Sequence, residues 1–347
     1  MKALLLLVLA VAACSEGKKP EQREPERQRR VPDPPSRGVR ALPPHAIRAD
    51  GVGPYKLGAT VTQLLDQLPS GPRIMQFALP GVIQRDILRA EEDAILIGTE
   101  PQGKATFVSV VRSEIARTEA GIHVGSTRAE LERALGAPLE DPERAIDPRV
   151  VIPSNFKNAR VLIEDDRVAA IVVATEPDRG KQSPAEPREV LVHSVGEELQ
   201  LVARDADKPL FTMRVPGLVF AAALRNPADG RDDIVAITRS EDAQSKTWSL
   251  AAYRLHEGKL QRVTGEPSVL YQLTASNARW IGADVSNLEL YLELTGRAES
   301  IEVGGLLTTR VGDKIRDIVV ITPVTVARKR ARLVPHDPID AGTSDAH

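Results

Sequence analysis

The densest run of potential metal ligands is Asp229-Gly230-Arg231-Asp232-Asp233, just ahead of the apolar stretch Ile234-Val235-Ala236-Ile237-Thr238. Carboxylates at this spacing suit calcium, a hard cation that takes roughly 6–8 oxygen ligands. A plainer chemistry competes, because Asp-Gly favours a two-residue hairpin turn. Asp313 and Asp317 stand in the same relation to Ile318-Val319-Val320-Ile321-Thr322, 84 residues further on, so an internal duplication is expected.

The other reactive side chains are scattered. No two of His45, His123, His193, His256, His336 and His347 lie at metal-ligand spacing. His123 is the histidine singled out for binding, because it precedes a helix start; alternation with Ile122 and Val124 turns it toward solvent. No Gly-x-Ser-x-Gly presents a nucleophile on a sharp turn. Gly125-Ser126-Thr127 opens a helix whose free amides could bind an anion, but a capping side chain claims them. Trp248, Tyr253, Tyr271 and Tyr291 read as core on alternating strands. Trp280, beside a turn in Asn277-Ala278-Arg279-Trp280-Ile281-Gly282, is the aromatic expected at a binding face. Nothing here commits the chain to a reaction, and a non-catalytic role is expected. A periplasmic hydrolase with an unrecognised site is the alternative, as is a calcium-stabilised β-domain that binds cell wall or glycan.

The acidic loop resembles the calcium loops of FG-GAP propeller repeats. Those repeats imply further oxygen ligands just upstream, where this chain has Arg225 and Pro227. Calcium through Asp229, Asp232 and Asp233 is therefore the only cofactor the sequence suggests.

Cys14 is the single cysteine of the 347 residues, so it has no disulfide partner in the chain. It follows a positive start and the short apolar run Ala3 to Ala13, too short to span a bilayer, so residues 1–13 read as a secretory signal peptide. Val11-Ala12-Ala13-Cys14 resembles the bacterial lipobox. The resemblance implies cleavage before Cys14, diacylation of its sulfur and acylation of its new amine. Several acyl chains anchor stably where one does not. Ser15, in place of an aspartate, points to the outer membrane, with the protein facing the periplasm.

Residues 14–50 carry many prolines and charges of both signs, with few apolar side chains, and read as an extended tether. Arg23, Arg27, Arg29 and Arg30 are interleaved with Glu21, Glu24 and Glu26, which favours a solvated segment over a lipid-binding patch. Over the whole chain 46 basic residues nearly balance 48 acidic ones, which gives no footprint for nucleic acid.

Residues 51–176 contain a repeat. Gly58, Thr60, Gln63, Leu64 and Leu68 match Gly125, Thr127, Glu130, Leu131 and Leu135, each 67 residues on. Thr-x-x-Gln and Thr-x-x-Glu are capping boxes that start short helices. Apolar pairs follow each helix: 94–98 with 105–111, and 159–164 with 168–174, both read as hairpins. Two helix-plus-hairpin units predict a two-layer α+β domain. The pattern resembles the modules of the small lipoprotein of the outer-membrane barrel-assembly machine and of the β-lactamase inhibitor protein family, and that resemblance implies protein binding.

A linker is expected over 177–188, an all-β domain, sandwich- or propeller-like and internally duplicated, over 189–326, and a tail over 327–347. The chain is thus expected to be an α+β, lipid-anchored envelope protein whose partners are the membrane and another envelope protein.

Overall fold

Strands with no polar face dominate the middle of the chain. In Ile95–Thr99 every residue is buried, and in Arg167–Ala174 nearly every one is. Such runs arise where a sheet is covered on both sides. The computed structural model describes residues 44–68, 73–79, 83–100, 103–113, 115–175, 190–203, 208–256, 259–280 and 283–329. The expected signal, the linker, and most of the tether and tail lie outside these residues.

Seven antiparallel strands form the central sheet, in the order Val150–Val151, Ala159–Glu164, Arg167–Ala174, Ala105–Val110, Ile95–Thr99, Ile83–Ala90, Arg73–Leu79. Alternate side chains enter two different cores. Ile95, Ile97, Val108, Val110, Ile171 and Val173 pack with Tyr55, Leu64 and Leu131. Leu96, Phe107, Leu162, Ala170 and Val172 pack with apolar residues from beyond position 220. Gly98 lies opposite Phe107 in the ladder, and a Cβ there would run into the Phe107 ring.

The first core is closed by a small N-terminal sheet (Tyr55–Lys56, Gly51–Val52, His45–Arg48, Ala116–Thr118) and by two helices. Helix α1 is Val61–Leu65 and α2 is Arg128–Leu135. Both have full capping boxes: Thr60 and Thr127 accept from the amides of Gln63 and Glu130, whose side chains reach back. Hydrogen bonds from Thr127 hold the exposed Glu130 carboxyl below its usual range.

On the other side lies the C-terminal sheet: Lys314–Ala327, Ser300–Val311, Leu288–Gly296 and Arg144–Ile146. Consecutive residues Leu306-Leu307 and Ile318-Val319 are all buried, so this sheet too is covered on both faces. The Ser109 hydroxyl donates to the Ile318 carbonyl and ties it to the central sheet. Next comes a five-stranded sheet of Leu218–Arg225, Asp232–Glu241 and Ser245–His256, with Lys259–Arg262 and Ser268–Thr274 both paired to the last. The Tyr271 hydroxyl reaches back to the Val303 carbonyl at 2.8 Å. An outer sheet of three strands (Val190–Val195, Glu198–Ala203, Pro209–Arg214) covers the far face through Leu199 and Leu201, which meet Leu218, Ile234 and Ala236.

The expected α+β architecture is therefore wrong. The described residues are 60% strand and 8% helix, in several sheets, and two helix-hairpin modules do not form a domain. Helices α1 and α2 have five and eight residues and bury one residue each, Leu64 and Leu131, too little to make a layer. Sheets cover sheets instead. The strand Arg144–Ile146, from the region read as a helix-and-sheet domain, pairs with Leu288–Gly296 of the later region.

Candidate functional site

The acidic loop folds as the hairpin between Leu218–Arg225 and Asp232–Glu241. Gly230 takes a left-handed conformation (φ +69°), which glycine adopts without strain. Asp229 uses one oxygen to accept from the Arg231 amide at 3.1 Å and the other to accept from Arg254 Nη1 at 2.6 Å. Asp232 accepts from Arg225 Nε at 3.5 Å.

Asp233 is fully buried, and both its oxygens are taken. Oδ1 accepts from Arg254 Nε at 2.9 Å and Nη2 at 2.6 Å; Oδ2 accepts from Arg328 Nε at 2.7 Å. These carboxylates fit guanidinium groups. A calcium ion, which takes roughly 6–8 oxygen ligands, would have to compete here with Arg254 and Arg328 for the Asp233 oxygens. Among the described residues no three His, Cys, Asp or Glu side chains converge as metal ligands. Burial lowers the Arg254 pKa, but the Asp233 and Asp229 carboxylates raise it by more, so the side chain stays charged.

Asp317, the counterpart of Asp233, is also buried and also holds two arginines. It accepts from Arg316 Nε at 2.7 Å, from the Thr309 hydroxyl at 2.6 Å, and from Arg89 Nη2 of the central sheet. Similar pairs cross elsewhere. Glu293 of the C-terminal sheet pairs with Arg144 of its own sheet and with Arg160 of the central sheet, and Glu164 of the central sheet bonds Arg310 and the Tyr291 hydroxyl of the C-terminal sheet. Arg149 lies 4.4 Å from the Tyr291 ring centre and pairs with Asp147 and Glu289, which hold its pKa up against burial. Removing one partner of such a buried pair leaves the other charge uncompensated, which is strongly destabilising.

A second polar cluster sits where the described chain begins. Glu91, Glu92 and Asp93 take three successive left-handed conformations between two central strands. Non-glycine residues held there cost of order 1 kcal/mol or more each. Glu91 is fixed by the Tyr55 hydroxyl and by His45 Nε2, both at 3.1 Å. Burial beside Glu91 raises the Tyr55 pKa, which keeps the phenol a hydrogen-bond donor.

The remaining expectations fall as follows. His123 is half-buried, its Nδ1 2.7 Å from the Val124 carbonyl. Trp280 ends the helix Ala275–Trp280, and its side chain lies outside the described residues, as does Cys14. Trp248, Tyr271 and Tyr291 are core. Near that helix, Asp242, Gln244, Ser245, Thr274 and Ser276 line an open surface depression. Asp242 is consumed by the Gln244 and Ser245 amides and the Ser245 hydroxyl, which hold its pKa down.

Sequence reasoning missed the outer sheet as a surface. Leu199 and Leu201 face inward. Leu191, His193 and Val195 alternate onto the open face, where Leu210 joins them; Val195 is 59% and Leu210 60% exposed. Glu198 and Arg214 stand opposite each other in the ladder, and Arg214 also bonds Glu197. The signal was present as Leu191 and Val195, apolar on the side opposite Val192. No protein-family model matches this sequence, and no characterised protein is detectably similar to it.

Proposed function

We propose that this chain is a lipid-anchored bacterial envelope protein that binds or scaffolds another envelope protein and catalyses no reaction. The Val11-Ala12-Ala13-Cys14 lipobox pattern supports the anchor, and the Pro-rich stretch after it supports a tether. Among the described residues no helix is long and apolar enough to cross a membrane. The observation that carries protein binding is the open face of the outer sheet. Its apolar side chains Leu191, Val195 and Leu210 stand beside the charged Glu198 and Arg214. Apolar contact area with a charged rim is the anatomy of a protein-binding surface. The interior arginines and carboxylates support a scaffold role, since they are paired with one another across sheets.

The test is a photo-crosslinking amino acid at Val195 or Leu210 in the full-length, lipidated protein in cells. A discrete adduct from these positions, absent when the probe replaces Lys314 on the far hairpin, is expected. Equal or no crosslinking from both places would contradict the proposal.

A further inference from the structure

Asp233 and Asp317 hold equivalent places in two hairpins, and each gathers one arginine from nearby and one from another sheet. For Asp317 the distant donor is Arg89, within the strand Ile83–Ala90 and enclosed by neighbours on both sides. For Asp233 it is Arg328, the first residue after the last strand, Lys314–Ala327. The two carboxylates look alike, but only Asp233 is held by a residue that follows the last described strand.

We propose that Arg328 is a C-terminal latch that locks the C-terminal sheet to the five-stranded sheet. Its backbone amide donates to the Glu299 carbonyl at 2.9 Å, on the C-terminal sheet's side. Its side chain crosses to Asp233 of the five-stranded sheet, and Nη1 also donates to the Ser300 carbonyl. The next residue, Lys329, donates its amide to the Val263 carbonyl at 2.8 Å. Two consecutive residues thus stitch the sheets together. Arg328 is only 6% exposed, and its Nη2 has no hydrogen-bond partner among the described residues. A buried unmet donor is costly, so the side chain stays only while Asp233 and Ser300 hold it.

The latch can open without stranding a charge. Asp233 keeps Arg254, and Arg254 keeps Asp229. Withdrawal of Arg328 leaves that trio paired, while the five-stranded sheet loses its charged tie to the residue that follows the last strand and keeps the neutral bonds of Lys329 and Tyr271.

Hydrogen exchange on the full chain tests this, comparing wild type with Arg328→Gln. The latch requires exchange over 218–256 and 190–203 to quicken at least tenfold, while 95–110 and 159–174 stay unchanged. Uniform quickening, or none, would overturn it. If Arg328→Gln does not fold, Arg328→Lys keeps the charge, loses the fork, and should give the same regional pattern. The double variant Arg328→Gln, Asp233→Asn should exchange no faster than the quicker single variant; additive effects would show that the two side chains act independently.

Discussion

The central sheet and the outer sheet are both antiparallel and rich in aliphatic residues, yet they differ in what covers them. The central sheet feeds one core with Ile95, Val108 and Val173 and another with Leu96, Phe107 and Val172. The outer sheet is covered on one face, through Leu199 and Leu201, and leaves Val195 and Leu210 open on the other. Fully burying an aliphatic or aromatic side chain contributes roughly 1.5–3 kcal/mol, so stability concentrates in the centre. The comparison teaches that the centre of the stack is held from both sides, whereas the outer sheet is held from one side and leaves an apolar face open.

Substitutions at matched places should break or sharpen that contrast. Phe107→Ala empties a site between two covered strands and should cost about 3–5 kcal/mol in chemical denaturation. Phe211→Ala in the outer sheet, half-buried in a small core, should cost less than half as much. Equal losses would refute the gradient.

Asp317→Asn leaves Arg89 and Arg316 facing a neutral group inside the stack and should cost about 3 kcal/mol, read from the shift in denaturation midpoint. Gly98→Ala places a methyl group into the Phe107 ring and should cost about 1–3 kcal/mol, visible as a lower melting temperature. Thr127→Ala removes the acceptor at the start of α2 and should cost about 1 kcal/mol. The same change should move the Glu130 carboxyl only part of the way back toward its ordinary titration range by NMR, because the Thr127 backbone amide still donates to it while the hydroxyl no longer does. Because that pKa is depressed in the folded protein, its contribution is present above the unfolded carboxylate pKa and fades as pH falls through the folded value. Val195→Lys, on the open face, should change stability by less than about 0.5 kcal/mol while removing any crosslink through that face.

Local chemistry was legible in the sequence and long-range arrangement was not. Thr60 with Gln63 and Thr127 with Glu130 cap their helices as read, because a capping box closes within four residues. A hairpin at Asp229-Gly230 was legible but its length was not, since residues 226–231 connect the paired Arg225 and Asp232 in place of the two-residue turn that Asp-Gly favours. The fold class was misread because two capped helices were given the weight of a layer. The counter-signal lay in Ala94-Ile95-Leu96-Ile97 and Val168-Ala169-Ala170-Ile171-Val172-Val173, which show no alternation. A half-exposed hairpin would alternate, whereas an unbroken apolar run marks a strand covered twice. The arginines that fill the acidic sites were illegible for a different reason. Arg328 lies 95 residues from Asp233 and Arg89 lies 228 from Asp317, and neither spacing leaves a local pattern.

Native-state hydrogen exchange of the unmodified protein across a denaturant series measures the stability gradient directly. Amides of Ile95–Thr99, Ala105–Val110 and Arg167–Ala174 should exchange only through global unfolding, and those of Glu198–Ala203 and Pro209–Arg214 through an earlier opening of lower free energy. If both groups converge on a single opening free energy, or the outer strands are the more protected, the account of a held centre and an open end is contradicted.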